Sequence, residues 1–330
     1  MTASAPHLPL SAPRVLPGFT PLPGELARPV LAIGNFDGVH RGHQRVIGAA
    51  AALARDLGRP AIALTFEPHP RSFFAPSRPM FRITPPPLKA AILQAFGVDA
   101  VIAFTFDAAF AGLTAGQFLH DLLVELYAAS GVVVGHDFHF GKGREGSPAF
   151  LCTHAGNRGL PVTVVEPVRE AENPVSSSAI REALSAGDIA AAGRLLGYRW
   201  IVQAEVVHGD ARGRVLGYPT ANMRLDPACG LRHGIYAVRM RVDGVVHAGV
   251  ASFGRRPTFD DGAPLLETHL FDFAGDLYGK RPAIEFLEWL RPELKFDGID
   301  ALVAQMDRDS AGARAIATQA NVRCPPSLLG

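Results

Sequence analysis

The segment VLAIGNFDGVHRGH, residues 30–43, joins four apolar residues to a glycine-containing turn that ends in two histidines. Val30–Ile33 has the composition of a buried strand, and residues 41–57 continue as an alanine-rich pattern that predicts a helix ending at Gly58. A buried strand that leads through a turn into a helix begins a parallel βαβ unit. Ligands of such sheets bind beyond the carboxyl ends of the strands, so this turn is a candidate binding site.

Apolar segments alternate with helical patterns through the first two-thirds of the chain. Strands are predicted at residues 61–66, 98–104, 131–135 and 160–165, and helices at residues 88–96, 114–129 and 179–196. Thr114 and Gln117 have the spacing of a capping box, which indicates a helix start. Strands that are apolar throughout and separated by helices indicate a doubly wound α/β domain, whose parallel sheet is covered on both faces.

After Tyr198 the pattern changes to a series of strands with one late helix. Strands are predicted at residues 200–207, 234–242, 245–252, 265–271 and 282–287, and a helix at residues 299–318. Asp243 and Gly244 form a hairpin turn signal between two of these strands. We therefore predict domains at residues 1–196 and 197–330, the second a small antiparallel β-domain with a C-terminal helix. Residues 1–29 are expected to be a flexible extension.

The whole chain has the composition of a folded globular protein. Of its 330 residues, 48% are hydrophobic and 19% are charged, which excludes a wholly disordered chain. The net charge of +1 provides no overall basic excess, so neither nucleic acid nor a membrane surface is expected as a partner. No segment approaches the roughly 20 apolar residues of a membrane span, and the proline-rich N-terminal residues lack the features of a signal peptide.

The three cysteines, Cys152, Cys229 and Cys324, are scattered along the chain. This spacing fits neither a disulfide framework nor a zinc site with paired ligands. We interpret each cysteine as a small buried hydrophobic residue. A reducing compartment, and hence a cytoplasmic location, is expected.

His40 and His43 lie three residues apart, so both can face one side of the predicted helix start. Gly42 between them would let a ligand approach the backbone closely. Free N–H groups and the positive end of the helix favour phosphate there, and two imidazoles add donors. This arrangement suits a nucleoside triphosphate whose α-phosphorus is attacked. Capping or packing of the helix start is the alternative role for each histidine.

GNFDGVHRGH, residues 34–43, resembles the HxGH motif of the nucleotidyltransferase superfamily. More closely, it resembles the N-terminal signature of prokaryotic bifunctional riboflavin kinase/FAD synthetases. The resemblance implies that His40 and His43 are catalytic. It also implies that the nucleotide is bound by both histidines and by Gly34, Phe36, Asp37, Gly38 and Gly42.

VSSSAIR, residues 175–181, resembles the serine-rich motif of the same family, which contacts the triphosphate. Ser177 or Ser178 can cap a helix and leave hydroxyl groups that bind phosphate together with Arg181. Serines at helix starts are more often caps alone, so this motif is weak by itself.

TFEPHP, residues 65–70, and GHDFHFG, residues 135–141, also match the family, each at the end of a predicted strand. The resemblance places the second of these segments near the flavin, which assigns Asp137, Phe138 and Phe140 to flavin binding. A turn capped by aspartate is the alternative for Asp137.

Gly141, Gly143 and Gly146 form a literal GxGxxG, the motif of dinucleotide-binding folds. The motif does not follow the first strand, where that fold places it, and an aromatic segment separates it from the preceding strand. We interpret it as a glycine-rich loop. No GxxxxGK[ST] string is present, which excludes a P-loop kinase at the level of motifs.

The C-terminal third contains a second set of motifs. GRVLGYPTAN, residues 213–222, resembles the flavokinase signature, and residues 249–259, 266–279 and 291–296 match further segments of that family. The resemblance implies nucleotide binding by Gly213, Pro219 and Thr220, Mg²⁺ binding by Thr220 and Asn222, and Glu267 as the general base. Neutral oxygens suit Mg²⁺, which keeps waters and phosphate oxygens as its other ligands. Ser252 stands where the family often has Asn, and Tyr218 where it often has Phe.

The expected function is therefore bifunctional. The kinase would convert riboflavin and ATP to FMN, and the adenylyltransferase would join FMN to the AMP part of a second ATP and release pyrophosphate. Mg²⁺ is the expected cofactor, and no obligate protein partner is expected. One alternative is a nucleotidyltransferase for another small phosphate acceptor, fused to an unrelated β-domain. The other is a flavin-binding regulator whose catalytic sites have decayed.

Overall fold

The computed structural model describes residues 6–9, 12–209, 213, 216–255, 264–320 and 326–329. These residues divide between two compact units. The parallel-sheet unit contains the described residues of Leu8–Met80 and Pro86–Ser176. The antiparallel-sheet unit contains the described residues of Met1–His7, Phe81–Pro85 and the described residues from Ser177 onward. The boundary thus falls at residue 176, before the predicted helical junction.

Six strands form the sheet of the parallel-sheet unit: β1 (Val15–Pro17), β2 (Val30–Ile33), β3 (Ala61–Glu67), β4 (Ala100–Thr105), β5 (Gly131–Gly135) and β6 (Val162–Val165). Their order is β1-β4-β3-β2-β5-β6, and every pairing is parallel. The chain proceeds from β2 to one edge and later returns through β5 to the other edge. This confirms the doubly wound α/β prediction and places the topological switch point between β2 and β5.

Helices cover this sheet: α1 (Arg41–Leu57), α2 (Pro70–Phe74), α3 (Pro86–Ala95), α4 (Ala108–Ala111), α5 (Ala115–Gln117) and α6 (Pro148–Gly156). A π-helix, Phe118–Leu126, continues α5, and short 3₁₀ turns span Gly24–Leu26 and Lys142–Arg144. The capping box of Thr114 and Gln117 is present at the start of α5, as predicted. Gly58 adopts a left-handed φ of 61° and ends α1 where the sequence predicts. Two short strands, β7 (Arg169–Glu170) and β8 (Asn173–Pro174), form a hairpin.

Part of the N-terminal stretch belongs to the sheet, which differs from the flexible extension expected for residues 1–29. Val15–Pro17 pairs in parallel with β4, and Val15 lies opposite Val101. The strand is only three residues long and lies at a sheet edge, the position where a proline is tolerated. A strand so short and so close to prolines has no periodicity to reveal it.

The antiparallel-sheet unit begins with α7 (Ser177–Ala186) and α8 (Ile189–Leu196) and ends with α9 (Ile299–Ala320). Between them lie β9 (Ile201–Gln203), β10 (Val206–Val207), β11 (Ala221–Arg224), β12 (Gly234–Val242), β13 (Val245–Arg255), β14 (Pro264–Leu270) and β15 (Ala283–Arg291). All pairings are antiparallel, in the order β10-β11-β14-β13-β12-β15-β9. The antiparallel β-domain with a C-terminal helix is confirmed.

The predicted strand at residues 200–207 is two strands at opposite edges of this sheet. Gln203 and Val206, the facing ends of β9 and β10, are three Cα steps apart, which limits their separation to about 11 Å. The sheet must therefore curl until its two edges approach each other, as in a barrel. The helical stretch at residues 179–196 likewise divides in two, because Gly187 adopts a φ of 78° and Asp188 caps α8.

Asp243 and Gly244 form the predicted hairpin turn between β12 and β13, with φ values of 48° and 86°. On the sheet, α9 packs Ala313 against Ala237 and Phe271. The small side chains of Ala313 and Ala237 let the helix approach the sheet closely.

The cysteines differ in their surroundings. Cys229 is buried as predicted, and burial raises the pKa of its thiol to about 11. Cys152 is exposed, so its interpretation as a buried hydrophobic residue is wrong. Cys324 lies outside the described residues. Within the described part of the chain, no helix is both long and apolar enough to cross a bilayer.

Candidate active sites

The turn after β2 has an unusual backbone. Phe36, Gly38 and Val39 all have positive φ, at 52°, 86° and 37°. Phe36 is fully buried, and a Cβ on Gly34 would lie only 3.2 Å from its ring, which leaves little room for any residue except glycine. Asp37 is also buried, at 1% exposure. The conformation therefore depends on burial of Phe36 beneath the turn.

His40 is the N-cap of α1, and its Nδ1 accepts a hydrogen bond from the backbone N–H of His43 at 3.4 Å. Since Nδ1 accepts, the proton of the neutral ring resides on Nε2, which is a donor. The rings of His40 and His43 stack with centroids 3.6 Å apart and planes 18° apart. A Cβ on Gly42 would lie 3.1 Å from Cε1 of His40. Gly42 thus makes room for the stacked ring, a role that the sequence assigned to an approaching ligand.

His43 occupies the more enclosed position of the two. Its Nδ1 is buried and has no hydrogen-bond partner within the described residues. Burial, followed by the charges of His40, Lys89 and His69, lowers the pKa of His43 well below its usual value. His43 is therefore neutral at physiological pH, and it can offer an N–H to a phosphate oxygen without carrying a fixed charge.

The end of β3 supports the turn from below. Thr65 Oγ1 donates to the carbonyl oxygen of Asn35 at 3.1 Å. Lys89 of α3 donates to the same carbonyl at 3.2 Å and to Thr65 Oγ1 at 2.9 Å, and its Nζ lies 2.5 Å from Oε1 of Glu67. Sequence reasoning missed Lys89. A lysine on the apolar PPLKAAIL helix was the available signal.

The segment after β5 lies at the switch point, because β5 is the neighbour of β2. Asp137 is exposed and Phe138 is half-buried. Phe140 is buried in the hydrophobic core, with ring centroids 4.9 Å from Phe118 and 5.4 Å from Phe138. Phe140 thus has a packing role, whereas Asp137 and Phe138 can reach a ligand.

The glycine-rich loop follows directly. A Cβ on Gly146 would lie 2.7 Å from the Phe140 ring, and Gly141 has a φ of 75° beside the backbone of Ala115. Helix α6 begins later, at Pro148, with Ser147 as its cap. Packing against the aromatic segment accounts for these glycines.

A group of aromatic rings follows β3 and β4, a feature that sequence reasoning did not single out. Phe73 and Phe74 of α2 both contact Phe106, with centroids 5.5 Å and 5.8 Å from it. Phe74 is 69% exposed. Because they follow the carboxyl ends of neighbouring parallel strands, these rings offer a second candidate surface for a planar ligand.

The serine-rich motif begins α7 and belongs to the antiparallel-sheet unit, whereas His40 and His43 belong to the parallel-sheet unit. Ser177 is half-buried and Ser178 is exposed. Arg181 donates its Nε to the carbonyl oxygen of Phe81 at 2.7 Å. One of the donors predicted for phosphate is therefore engaged in holding the Phe81–Pro85 segment.

The antiparallel sheet places the candidate kinase residues in a row. Glu267 of β14 lies directly opposite Asn222 of β11 on one side and Ser252 of β13 on the other. Directly opposite residues of antiparallel strands point to the same face, with Cβ atoms about 4.5–5.5 Å apart. The amide, carboxylate and hydroxyl groups therefore share one face of the sheet.

Asn222 is buried, and its Oδ1 has no hydrogen-bond partner within the described residues. Its Nδ2 donates to the carbonyl oxygen of Thr220 at 3.4 Å. A Cβ on Gly209 would lie 2.5 Å from the Asn222 amide, so Gly209 makes room for this side chain. A buried acceptor oxygen without a partner suits a cation ligand.

Backbone and side-chain hydrogen bonds fix the conformation of the GYPTAN segment, residues 217–222. Gly213 accepts a hydrogen bond from the N–H of Tyr218 at 2.7 Å, and a Cβ at position 213 would lie 2.3 Å from the carbonyl oxygen of Tyr218. Pro219 is exposed and its carbonyl oxygen accepts from Nδ1 of His269 at 2.9 Å. The Tyr218 hydroxyl donates to Asp307 of α9. Residues 214–215 and 256–259 of the predicted kinase segments lie outside the described residues.

Both halves of the chain match known families. Residues 23–179 match the family described as FAD synthetase, and residues 196–317 match the family described as riboflavin kinase. A Listeria monocytogenes protein named bifunctional riboflavin kinase/FMN adenylyltransferase is 39% identical over 289 residues, covering 87% of this chain and 91% of that protein. A Pseudomonas fluorescens protein of the same name is 41% identical over 290 residues, covering 87% of this chain and 93% of that protein.

A solved structure also resembles the chain over most of its length. The crystal structure titled as a macrolide-efflux protein from Streptococcus pneumoniae has a TM-score of 0.79 and 31% identity, covering 91% of this chain and 98% of that one. Its title names efflux, whereas the sequence relatives are named as enzymes. Because one fold can host several functions, the choice between them depends on the residues of the sites.

Proposed function

Because the chain belongs to the family of bifunctional riboflavin kinase/FMN adenylyltransferases, we propose that it phosphorylates riboflavin to FMN and adenylylates FMN to FAD. ATP supplies the phosphoryl group in the first reaction and the AMP group in the second. The observation that carries this proposal is that each unit contains a site of its own. The stacked pair of His40 and His43 lies in the parallel-sheet unit, and the row of Asn222, Glu267 and Ser252 lies in the antiparallel-sheet unit.

In the adenylyltransferase, a phosphate oxygen of FMN attacks the α-phosphorus of ATP, and the bond to the β-phosphate breaks to release pyrophosphate. Negative charge develops on the oxygens around the α-phosphorus. His40 donates from Nε2 and His43 from its neutral ring, while backbone N–H groups at the start of α1 bind the remaining phosphates. The two residues act by positioning and electrostatics, without a covalent intermediate.

In the kinase, the 5′-hydroxyl of riboflavin attacks the γ-phosphorus of ATP, and the bond to the β-phosphate breaks to release ADP. Glu267 orients the hydroxyl and accepts its proton as the new bond forms. Gly213, Pro219 and Thr220 position the nucleotide. The Oδ1 of Asn222, which has no partner in the described part of the chain, supports a cation site formed with Thr220, and Mg²⁺ bound there would neutralise charge on the phosphates.

We place the flavin of the adenylyltransferase beside Asp137 and Phe138, at the switch point. Ser177, Ser178 and the remaining donors of Arg181 are proposed to bind the triphosphate. The scattered cysteines support a reducing, cytoplasmic location.

The test is incubation of the protein with riboflavin, ATP and Mg²⁺, followed by chromatographic separation of the flavins. Riboflavin should be converted to FMN and then to FAD. A His43→Ala variant should accumulate FMN, because only the second reaction needs the histidine pair. Equal loss of both products would identify His43 as a folding residue.

The same experiment separates the two alternatives. If riboflavin stays unchanged while ATP is consumed with another phosphate acceptor, the chain is a nucleotidyltransferase of different specificity. If flavins bind without any turnover, the chain is a flavin-binding regulator.

A further inference from the structure

We propose that Lys89 is a positioning residue of the adenylyltransferase, which acts by holding the catalytic turn between β2 and α1. The inference rests on the proposed function of His40 and His43. Lys89 lies on α3, outside every motif that the sequence indicates, and it contacts the turn at the backbone of Asn35.

Lys89 is buried, and its ammonium group contacts polar side-chain and backbone oxygens. The residue is 1% exposed, and lysines are almost never buried this deeply unless they are paired. Its ammonium group faces the carboxylate of Glu67 at 2.5 Å, the hydroxyl of Thr65 at 2.9 Å and the carbonyl oxygen of Asn35 at 3.2 Å. An ammonium group has three protons, and each of these oxygens can accept one of them.

These contacts join three elements. Asn35 belongs to the turn, Thr65 and Glu67 to the end of β3, and Lys89 to α3. Thr65 also donates to the carbonyl oxygen of Asn35, which therefore accepts two hydrogen bonds from below. In a trans peptide the C=O and N–H groups point in opposite directions. Holding this carbonyl toward Lys89 turns the N–H of Phe36 away from the cluster and fixes the peptide that begins the positive-φ segment.

Lys89 also acts on His43 through its charge. Burial, followed by the charges that His40, Lys89 and His69 carry when protonated, lowers the pKa of His43. Acidic residues of the same elements include Asp37 in the turn and Glu67, which lies beside Lys89 at the end of β3. Removing Lys89 takes away one of these positive charges and removes an ammonium group from beside Glu67.

Lys89→Met tests the proposal, since Met has a similar length but no charge and no donor. We expect kcat/KM for FAD formation to fall by about 10²-fold, the scale of a small misplacement of catalytic groups. We also expect the acidic limb of its pH profile to move to higher pH, because His43 then binds a proton more readily. FMN formation by the same chain should remain within about twofold and reports that the protein is folded.

Two further variants address folding. Lys89→Met removes an ion-pair partner of the largely buried Glu67 carboxylate, which can destabilise a protein, whereas Lys89→Met combined with Glu67→Gln removes both charges. The double variant should fold and still lose FAD formation, because the carbonyl oxygen of Asn35 still lacks its hydrogen bond from Lys89. Leu93→Ala is the matched control. It removes buried volume from α3 without altering charge, and it should lower stability while the pH profile stays in place.

An unchanged rate of FAD formation in the double variant overturns the proposal, as does a loss of rate in Lys89→Met with no movement of its pH profile. His43→Ala separates this outcome from failure of the site itself. If His43→Ala lowers FAD formation and the Lys89 variants do not, only the role of Lys89 is wrong. If neither has an effect, the proposed site is wrong as well.

Discussion

His40 and His43 have different tasks although they share one motif. Nδ1 of His40 accepts a backbone hydrogen bond at the start of α1, so the proton of the neutral ring lies on Nε2. His43 is kept neutral by burial and by three neighbouring positive or partly positive groups. The motif thus provides two ring N–H donors at the start of α1. Burial and neighbouring charged groups keep the His43 donor neutral.

A first prediction concerns the pH dependence of FAD formation. His43 has a pKa below its usual value of about 6.5, so it remains neutral as the pH falls through that value. We expect kcat/KM for FAD formation to stay level through pH 6.5 and to fall only at lower pH. A pH series with saturating ATP measures this limb, and His120→Ala, which alters an exposed histidine, is the control. A limb centred at 6.5 would show that His43 is not the titrating group.

Glu267 provides the second prediction. In Glu267→Gln the side chain keeps its size and an acceptor oxygen but becomes a far weaker base. We expect riboflavin kinase turnover to fall by about 10²–10⁴-fold, with FAD formation from supplied FMN preserved. Glu288→Gln, which changes an exposed carboxylate on β15 of the same sheet, should leave both reactions unchanged. Turnover of Glu267→Gln near the unmodified rate would leave Glu267 as a strand residue only.

At the start of helix α1, one residue lowers helix stability while it favours the arrangement of the two histidines. Glycine is a poor helix residue, less favourable than alanine by about 1 kcal/mol. Gly42 nevertheless occupies the first turn of α1, where a Cβ would press on the His40 ring. The helix therefore gives up intrinsic stability so that the two imidazoles can stack.

The third prediction follows from this arrangement. Gly42→Ala should hold or raise the melting temperature while it lowers FAD formation by about tenfold to a hundredfold, because the His40 ring must move. Gly48→Ala is the matched control, since it lies on the same helix and its Cβ would meet no atom within 4 Å. It should stabilise the helix and leave the rate unchanged. Equal rates in both variants would show that the position of the His40 ring is unimportant.

At the scale of the whole molecule, the two activities are assigned to two units whose boundary is not a simple cut in the chain. Helices α7 and α8 precede the predicted junction at residue 197 but belong to the antiparallel-sheet unit. Leu184 of α7 accepts a hydrogen bond from the N–H of Arg232 at 3.1 Å. The Phe81–Pro85 segment belongs to the same unit, where the indole of Trp200 donates to the carbonyl oxygen of Ile83 at 3.0 Å.

The fourth prediction concerns separation of the activities. A chain that begins at Ser177 should make FMN but no FAD, whereas a chain that begins at Gly197 lacks α7 and α8 and should be much less stable. Even the longer fragment loses the acceptor of Trp200, and an unsatisfied buried donor costs about 1–3 kcal/mol. We therefore expect it to melt below the full-length protein. Melting curves and flavin chromatography check both fragments, and equal stability of the two would contradict the assignment of α7 and α8.

Much of the fold is encoded locally. Val30–Ile33, the turn and α1 have the bounds that the sequence predicts, because apolar runs, capping residues and Gly58 act through neighbouring hydrogen bonds and sterics. The same holds for the capping box at Thr114 and the hairpin turn at Asp243. The histidines were found for the same reason, since their spacing and the helix start are both local.

Other features depend on partners that are distant in the chain, and no local pattern contains them. Long-range pairing places β1 against β4 and separates β9 and β10 to opposite edges of one sheet. Register alone places Asn222 and Ser252 on either side of Glu267. A lysine such as Lys89 is typical of a protein surface, and only the packed structure buries its charge beside Glu67 and the turn after β2. The local sequence thus specifies the motifs and the types of the elements. Which polar groups contact one another depends on the packed chain, because burial and cross-strand register exist only after the elements pack together.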